Sequence, residues 1–255
     1  MDYVIFSSYG NDSIALIQWA YEHRLGNVVV SYTDTGWAAD WWGARVEQAE
    51  SWVTGSLGFQ CNRVISEGMA SLVTRKKAWP RGGGGKFQFC TQELKIKPAL
   101  EWLDKADPCK DTVCMVGIRR EESPNRSQFP EWTESSIIHG GRSLYAPLVN
   151  HDESDRNLLL SRTPFQPLPH RSKECSPCVN ARKGEIAALT DAKIKLIDSM
   201  ERTMGINSKG NPRVMFSPSR SKGAIGITKV VEWARGCQQP EEIVDSKCDG
   251  GWCGS

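Results

Sequence analysis

Several features that would place this chain in a common functional class are missing from its 255 residues. No apolar run is long enough to span a membrane, and the first strand-like segment follows Met1 without a basic and apolar leader. Neither a GxxxxGK[ST] loop nor a G-x-G-x-x-G turn is present, which excludes the commonest nucleotide-binding motifs. We therefore expect a soluble cytoplasmic protein without a membrane partner.

An excess of charge is also missing, because 32 basic side chains nearly balance 30 acidic ones. The nine cysteines are odd in number and unevenly spread, so they do not indicate a disulfide framework. In a reducing compartment, clustered thiols more often serve metal or redox chemistry. The length suits one large domain, or one domain with an appended module.

Strand-like and helix-like segments alternate along the first part of the chain. Apolar runs of strand length lie at residues 3–6, 27–32, 62–65 and 113–118, with a last sheet element at 144–149. Helical spacing of apolar residues occupies 13–20, 38–55 and 90–103. This alternation predicts an α/β fold with a parallel sheet, whose ligands bind at the carboxyl ends of the strands.

The composition changes near residue 150, and the segment 151–174 is polar, basic and rich in proline. Beyond it we predict a helix at 185–200, a loop at 205–220 and a short helix or strand at 225–235. The predicted domains are the alternating α/β part, residues 1–150, and a cysteine-bearing extension, residues 151–255, packed on the first.

The stretch YVIFSSYGNDS, residues 3–13, reads as strand, loop and helix. Loop amides and the positive end of the following helix would converge where the strand stops, which favours phosphate binding. Ser7, Ser8 and Ser13 add hydroxyl donors. The alternative is a serine-rich turn that only caps an ordinary helix.

Three later stretches have a recognisable order: Asp34-Thr35-Gly36, then Cys90-Thr91 with Leu94-Lys95 and Pro98, then Gly117-Ile118-Arg119 with Glu122-Ser123 and Arg126. Together with S-x-G-x-D-S they resemble the motifs of the phosphoadenylylsulfate (PAPS) reductase family. That family lies within the adenine-nucleotide α-hydrolase superfamily of PP-loop ATP pyrophosphatases. The resemblance covers about residues 3–148 and implies a Rossmann-like sheet.

The resemblance implies in-line attack at the α-phosphorus of ATP, with Mg²⁺ bridging the pyrophosphate oxygens. The implied nucleotide-binding residues are Ser7, Ser8, Gly10, Asn11, Asp12, Ser13, Asp34, Thr35, Gly36, Gly117, Arg119 and Arg126. The implied catalytic residues are Asp12, Lys95, Arg119 and Cys90, and Tyr9 stands where many members have a second glycine.

Three of these residues also have simpler interpretations. Asp34 would accept hydrogen bonds from the ribose or adenine, or it only caps the next helix. Arg126 would neutralise phosphate or sulfate, or it pairs with Glu121 or Glu122. Cys90 would be a thiolate of low pKa that takes part in sulfur transfer, or it only caps a helix.

A second cysteine pattern lies in the extension. Cys175 and Cys178 form a C-x-x-C, and Cys248 and Cys253 form a C-x4-C near the end of the chain. Four soft ligands on two loops suit a [4Fe–4S] cluster or structural zinc, and the resemblance favours the cluster. Cys237 is a reserve ligand, and ordinary reduced cysteines are the alternative.

Three functions stay open. The first is ATP-dependent adenylylation coupled to sulfur transfer, similar to DNA phosphorothioation enzymes and tRNA thiolases, with a nucleic acid or a small molecule as acceptor and a protein that donates sulfur or electrons. The second is reduction of PAPS or adenylylsulfate to sulfite. The third is a non-catalytic nucleotide-binding module with structural zinc. Basic loops at 75–86, 162–173 and 202–222 would suit a polyanion. The oligomeric state, a homodimer included, stays open as well.

Overall fold

The computed structural model describes residues 1–82, 87–218 and 221–236. Its centre is a sheet with the strand order β3-β2-β1-β4-β6-β5. In chain order the strands are β1 (Tyr3–Ser7), β2 (Val28–Asp34), β3 (Gln60–Ile65), β4 (Val113–Met115), β5 (Trp132–Ser136) and β6 (Arg142–Tyr145). All neighbours pair in parallel except β5, which is antiparallel to β6. The predicted α/β fold with a parallel sheet is confirmed.

The helices in chain order are α1 (Asn11–Glu22), α2 (Trp42–Gly55), α3 (Met69–Lys76), α4 (Phe89–Thr91), α5 (Lys97–Ala106), α6 (Glu153–Leu160), α7 (Lys183–Ala187), α8 (Asp191–Met204) and α9 (Ile227–Gly236). A π-helical turn, Gln92–Ile96, joins α4 to α5. No helix within the described ranges combines the length and apolarity that crossing a bilayer requires.

The central strand β1 buries side chains on both faces of the sheet, as its continuous apolar run requires. Ile5 belongs to a core with α1, α2 and α6. Val4 and Phe6 belong to a second core on the other face, with Ala99 and Leu103 of α5. Helices therefore cover both faces, and the carboxyl end of β1 is left facing the loops.

A third core lies outside the sheet and joins α3 to α7, α8 and α9. It contains Trp37 and Leu72 from the first 150 residues, and Ile197 and Val230 from the C-terminal part. The first core likewise includes Leu160 of α6. The two predicted domains thus share apolar cores, and their division at residue 150 stays a prediction.

Several predicted elements need correction. The helix predicted at 185–200 is two helices, α7 and α8, because Thr190 begins a new one by accepting a hydrogen bond from Lys193 N at 3.3 Å. The strand predicted at 113–118 ends at Met115, since Gly117 packs on the start of α1. The last sheet element lies at Arg142–Tyr145 rather than 144–149, and β5 was not predicted. Residues 225–235, left open as helix or strand, are helical from Ile227.

Candidate active site

The predicted phosphate loop lies between the end of β1 and the start of α1. Its hydroxyls bond to the loop itself: Tyr9 N donates to Ser7 Oγ at 3.0 Å, Gly10 N to Ser8 Oγ at 3.3 Å, and Ser13 Oγ to Gly10 O at 3.2 Å. The serines therefore shape the loop. Ser7 and Ser8 act as acceptors in these bonds, so the donor role predicted for their hydroxyls stays a prediction, beside the N–H groups at the start of α1.

Tyr9 has a φ of 55° and is fully buried. Tyr9 thus adopts a left-handed backbone conformation, which costs a non-glycine residue about 1 kcal/mol. Its ring stacks on Tyr32 with centroids 5.6 Å apart, and its carbonyl accepts a hydrogen bond from Arg45 Nε at 2.7 Å. Packing on both sides of the loop compensates for the missing glycine.

The loop after β2 lies beside the phosphate loop, because β1 and β2 are neighbouring parallel strands. Asp34 Oδ1 accepts the N–H of Gly36 at 2.8 Å, so part of its capacity goes to its own turn. Thr35 Oγ1 donates to the backbone carbonyl of Glu174 at 2.9 Å. Asp34 therefore caps its own turn, and its contact with a ribose or an adenine stays a prediction.

Gly117 follows β4 and lies against the beginning of α1. A Cβ there would be 2.8 Å from the backbone oxygen of Asp12, closer than side chains approach. Two residues later, Arg119 Nε donates to Asp12 Oδ1 at 2.6 Å, with both side chains buried. The glycine thus brings Arg119 and Asp12, both predicted to be catalytic, into direct contact.

The cations predicted to bind phosphate all face carboxylates. Lys95 pairs with Glu174, and both side chains are buried. Burial alone would lower the pKa of Lys95, but the Glu174 carboxylate holds that pKa above its usual value. Arg126 pairs with Glu122, which was the simpler interpretation of Arg126. Arg119 Nη1 lies 3.5 Å from Glu121 Oε1 and makes no hydrogen bond to the described residues.

A cavity of about 250 Å³ opens beside these pairs. Its walls come from the segment around the π-helical turn, from the loop after β4, and from residues 171–185. Its charged lining residues are Lys95, Arg119, Glu122, Arg126, Arg171, Lys173, Glu174, Arg182 and Glu185. Six of them are basic and three acidic, so the cavity favours an anion.

Three thiols also line the cavity: Cys90, Cys175 and Cys178. The hydrogen bond between Cys175 and Cys178 lowers the pKa of Cys178 and raises the pKa of Cys175. Burial raises the pKa of Cys90 to about 11. Burial therefore opposes the low-pKa thiolate expected at Cys90, and the role of Cys90 in sulfur transfer stays a prediction.

Residues 168–178, here termed the crossing segment, pass over the carboxyl edge of the sheet. Asn11 exchanges two hydrogen bonds of 2.9 Å with the backbone of Leu168. A Cβ at Gly10 would be 3.0 Å from Ser172 Cβ, and Ser176 N donates to Trp37 O at 2.7 Å. The segment therefore contacts the phosphate loop and the loop after β2, and carries Glu174 and both cysteines into the cavity.

The structure describes two of the four cysteines that were predicted to bind a metal. Cys175 and Cys178 lie together, whereas Cys248, Cys253 and the reserve ligand Cys237 lie outside the described residues. Within the described ranges, no group of three or more histidine, cysteine or acidic side chains could hold a metal ion. Part of the basic loop at 75–86 and part of the one at 202–222 also lie outside.

A family model described as "Phosphoadenosine phosphosulfate reductase domain" matches residues 2–172. The match covers well over half of the chain. The chain belongs to the phosphoadenosine phosphosulfate reductase domain family. The predicted family is thereby confirmed, and the match ends within the crossing segment of this PAPS reductase family member.

A relative in Escherichia phage 186, described as an uncharacterized 37.8 kDa protein in the gpa 5' region, is 29% identical over 168 residues. The alignment covers 58% of this chain and 48% of the relative. This PAPS reductase family member thus spans about half the length of the curated relative that it matches.

Solved structures with similar folds include PAPS reductase from Candida auris in a phosphate complex, at 11% identity and a TM-score of 0.46, covering 65% of this chain and 76% of that one. The NMN synthetase of Francisella tularensis has 10% identity and a TM-score of 0.48, covering 92% and 84%. A U34-tRNA thiolase from Methanococcus maripaludis with its [4Fe–4S] cluster has 13% identity and a TM-score of 0.43, covering 91% and 80%.

Sequence reasoning missed two residues at the site of this family member. Glu174, the partner of Lys95, lies 79 positions away in a basic segment that reads as a loop. Arg45 lies on α2 and donates a hydrogen bond to the carbonyl of Tyr9 in the phosphate loop. The acidic residue directly before C-x-x-C was a usable signal for Glu174, whereas Arg45 had none, because its contact depends on how α2 packs.

Proposed function

We propose that this chain binds an adenine nucleotide at the phosphate loop and catalyses an ATP-pyrophosphatase-type adenylylation coupled to sulfur transfer. The observation that carries the proposal is the convergence of four sequence motifs on one edge of the sheet. There the Asp12–Arg119 pair, Lys95 and a cavity with three thiols adjoin the phosphate loop. Nucleic acid is one acceptor class for the activated product, and a small molecule is the other.

In this mechanism the acceptor attacks the α-phosphorus in line, and pyrophosphate leaves. Backbone N–H groups from Asn11 to Ser13 hold the leaving group, and Asp12 keeps Arg119 directed towards it. Lys95 neutralises the developing negative charge once the nucleotide phosphates have displaced the Glu174 carboxylate from Lys95. Since Asp12 is engaged by Arg119, Mg²⁺ would be held mainly by the oxygens of the nucleotide.

Two half-buried thiols fit a soft metal, because Cys178 accepts a hydrogen bond from Asn180 N at 3.4 Å, which favours its thiolate form. In the proposed holoprotein, Cys175 and Cys178 would hold a [4Fe–4S] cluster together with Cys248 and Cys253. When bound, such a cluster supplies electrons or handles sulfur. Zinc in the same four thiolates is the alternative.

Reduction of PAPS or adenylylsulfate is the second candidate, and the adjacent thiols of Cys175 and Cys178 favour it. The two thiols would give up two electrons and two protons and form a disulfide. The sulfuryl sulfur would accept the electrons, and sulfite would separate from the nucleotide. This dithiol route and a cluster held by the same cysteines exclude each other.

Product analysis distinguishes the candidates. The anaerobically purified protein is incubated with ATP plus RNA, DNA or thiol acceptors, and separately with PAPS or adenylylsulfate. We expect pyrophosphate from ATP, and Lys95→Met should slow its release about a hundredfold. Sulfite from PAPS or adenylylsulfate would instead identify a reductase. Nucleotide binding without either product, in a colourless protein that contains zinc, would indicate the non-catalytic module.

A further inference from the structure

Arg45 contacts the phosphate loop and is not among the described residues that line the cavity. It lies on α2, and its Nε donates to the carbonyl of Tyr9 at 2.7 Å. Its guanidinium carbon lies 5.0 Å from the ring centroid of Phe165 and 5.6 Å from that of Trp42. Two aromatic rings therefore hold the side chain in place, so the hydrogen bond has a fixed direction.

The hydrogen bond determines where a loop amide points. In a trans peptide the carbonyl of Tyr9 and the N–H of Gly10 point in opposite directions. Because Arg45 binds the carbonyl, the N–H of Gly10 is directed away from Arg45, and it donates to Ser8 Oγ at 3.3 Å. The backbone of Tyr9 is in the left-handed region, which is unfavourable for a tyrosine and not for a glycine. The hydrogen bond from Arg45 helps to stabilise this backbone conformation.

Arg45 also differs in charge compensation from the three cations that were predicted to bind phosphate. Lys95, Arg119 and Arg126 each pair with a carboxylate. Among the described residues no carboxylate oxygen lies within ion-pair distance of Arg45, and its buried Nη2 makes no hydrogen bond there. Burial lowers the pKa of Arg45, in keeping with a cation that lacks a compensating charge.

We infer that Arg45 is a positioning residue for pyrophosphate: through the Tyr9 carbonyl it fixes the Tyr9–Gly10 peptide, which leads directly into the first turn of α1, and it supplies uncompensated positive charge beside the loop. This inference rests on the proposed function, because it names a determinant of the same phosphate site. Arg45 acts through Tyr9 and does not touch the ligand. The ligand class is a pyrophosphate, either free or as part of an adenine nucleotide.

The test measures binding of inorganic pyrophosphate and of a non-hydrolysable α,β-methylene ATP analogue by calorimetry. Arg45→Met should weaken both about tenfold or more and leave adenosine binding unchanged. Arg162→Met is the matched control, because Arg162 pairs at the surface with Glu22 at the far end of α1. It should bind as tightly as the wild type. Equal pyrophosphate affinity in Arg45→Met and wild type would overturn the inference.

A measurement on the wild type does not depend on how well a variant folds. Tyr9-Gly10 is the sole Tyr-Gly pair in the sequence, so labelling with ¹³C′-tyrosine and ¹⁵N-glycine gives one amide signal in a carbonyl-correlated spectrum. That signal should shift when pyrophosphate is added, and in Arg45→Met it should already differ without ligand. An unmoved signal at saturating pyrophosphate would overturn the inference. A wild type that binds neither pyrophosphate nor nucleotide would overturn the proposed function itself.

Discussion

Single side chains set the charge of the candidate site. The carboxylate of Glu174 occupies the position beside Lys95 that an anionic ligand group would take, and both side chains are buried. Removing one partner of such a pair is costly, because the other charge stays in the interior. If the Glu174 carboxylate is removed, a bound phosphate can take its place beside Lys95. Ligand binding should then stabilise the folded protein, so the pair links ligand affinity to stability.

Glu174→Gln tests this link. The variant should lose about 3 kcal/mol of stability, because Lys95 loses a charged partner. Pyrophosphate should then raise the melting temperature of the variant by more than that of the wild type, as measured by differential scanning fluorimetry. Glu67→Gln is the control, since Glu67 pairs with Arg75 at the surface and should change stability by less than about 1 kcal/mol. An equal ligand-induced shift in Glu174→Gln and wild type would contradict the link.

The sequence identified the residues of the site better than their partners. Arg119 and Asp12 were both named from motifs, but their direct contact joins positions that are 107 residues apart. Glu174 and Arg45 were missed for the same reason, because the partner of a buried charge is fixed by tertiary packing. Burial raises the pKa of Cys90, a direction that the motif around Cys90 does not report, because the depth of a side chain depends on tertiary packing.

At the next scale, the elements meet through close backbone contacts. The chain leaving β4 passes directly over the first turn of α1, where Gly117 approaches the oxygen of Asp12. This contact sets the distance between the predicted phosphate loop and Arg119. A larger residue at the contact should separate the two elements.

Gly117→Ala should destabilise the protein by roughly 1–3 kcal/mol, because the new methyl group would lie 2.8 Å from backbone that cannot rotate away. It should also weaken nucleotide binding. Urea unfolding and calorimetry measure the two effects. Gly43→Ala is a matched control within α2, where a Cβ meets no atom within 4 Å, and should stabilise by up to about 1 kcal/mol. A neutral Gly117→Ala would mean that β4 and α1 can shift freely.

Helices and strands were predictable where the apolar residues follow one clear spacing pattern. The buried runs of β1 and β2 and the spacing of α1 and α2 were sufficient, because a continuous apolar run fits a strand buried on both faces. Strand β5 was missed: its residues WTESS are largely exposed and it lies at the edge of the sheet. The break between α7 and α8 was missed because the capping role of Thr190 competed with a continuous helical pattern.

On the scale of the whole molecule, the C-terminal part completes the cores of the first part. Leu160 of α6 is fully buried in the core that also holds Ile14 and Val30. Leu158 of the same helix is 61% exposed. The cores therefore favour a single cooperative unit, although composition alone divides the chain near residue 150.

Leu160→Ala should lower the free energy of unfolding by about 2–5 kcal/mol, because it opens a cavity in a shared core. Tryptophan fluorescence and far-UV circular dichroism should still report one coincident transition. Leu158→Ala is the control on the same helix and should change stability by less than about 0.5 kcal/mol. Two separated transitions would show that the two parts unfold independently.

The order of the strands also constrains when the protein can fold during its synthesis. β1 is made first, yet one of its two sheet neighbours is β4, whose Met115 pairs with Ile5. The hydrogen bonds of Asn11 to Leu168 come later still. The edge of β1 that pairs with β4 therefore stays open to chaperones and to mispairing until Met115 has emerged from the ribosome, and the first loop is not enclosed until the chain has emerged to beyond Leu168.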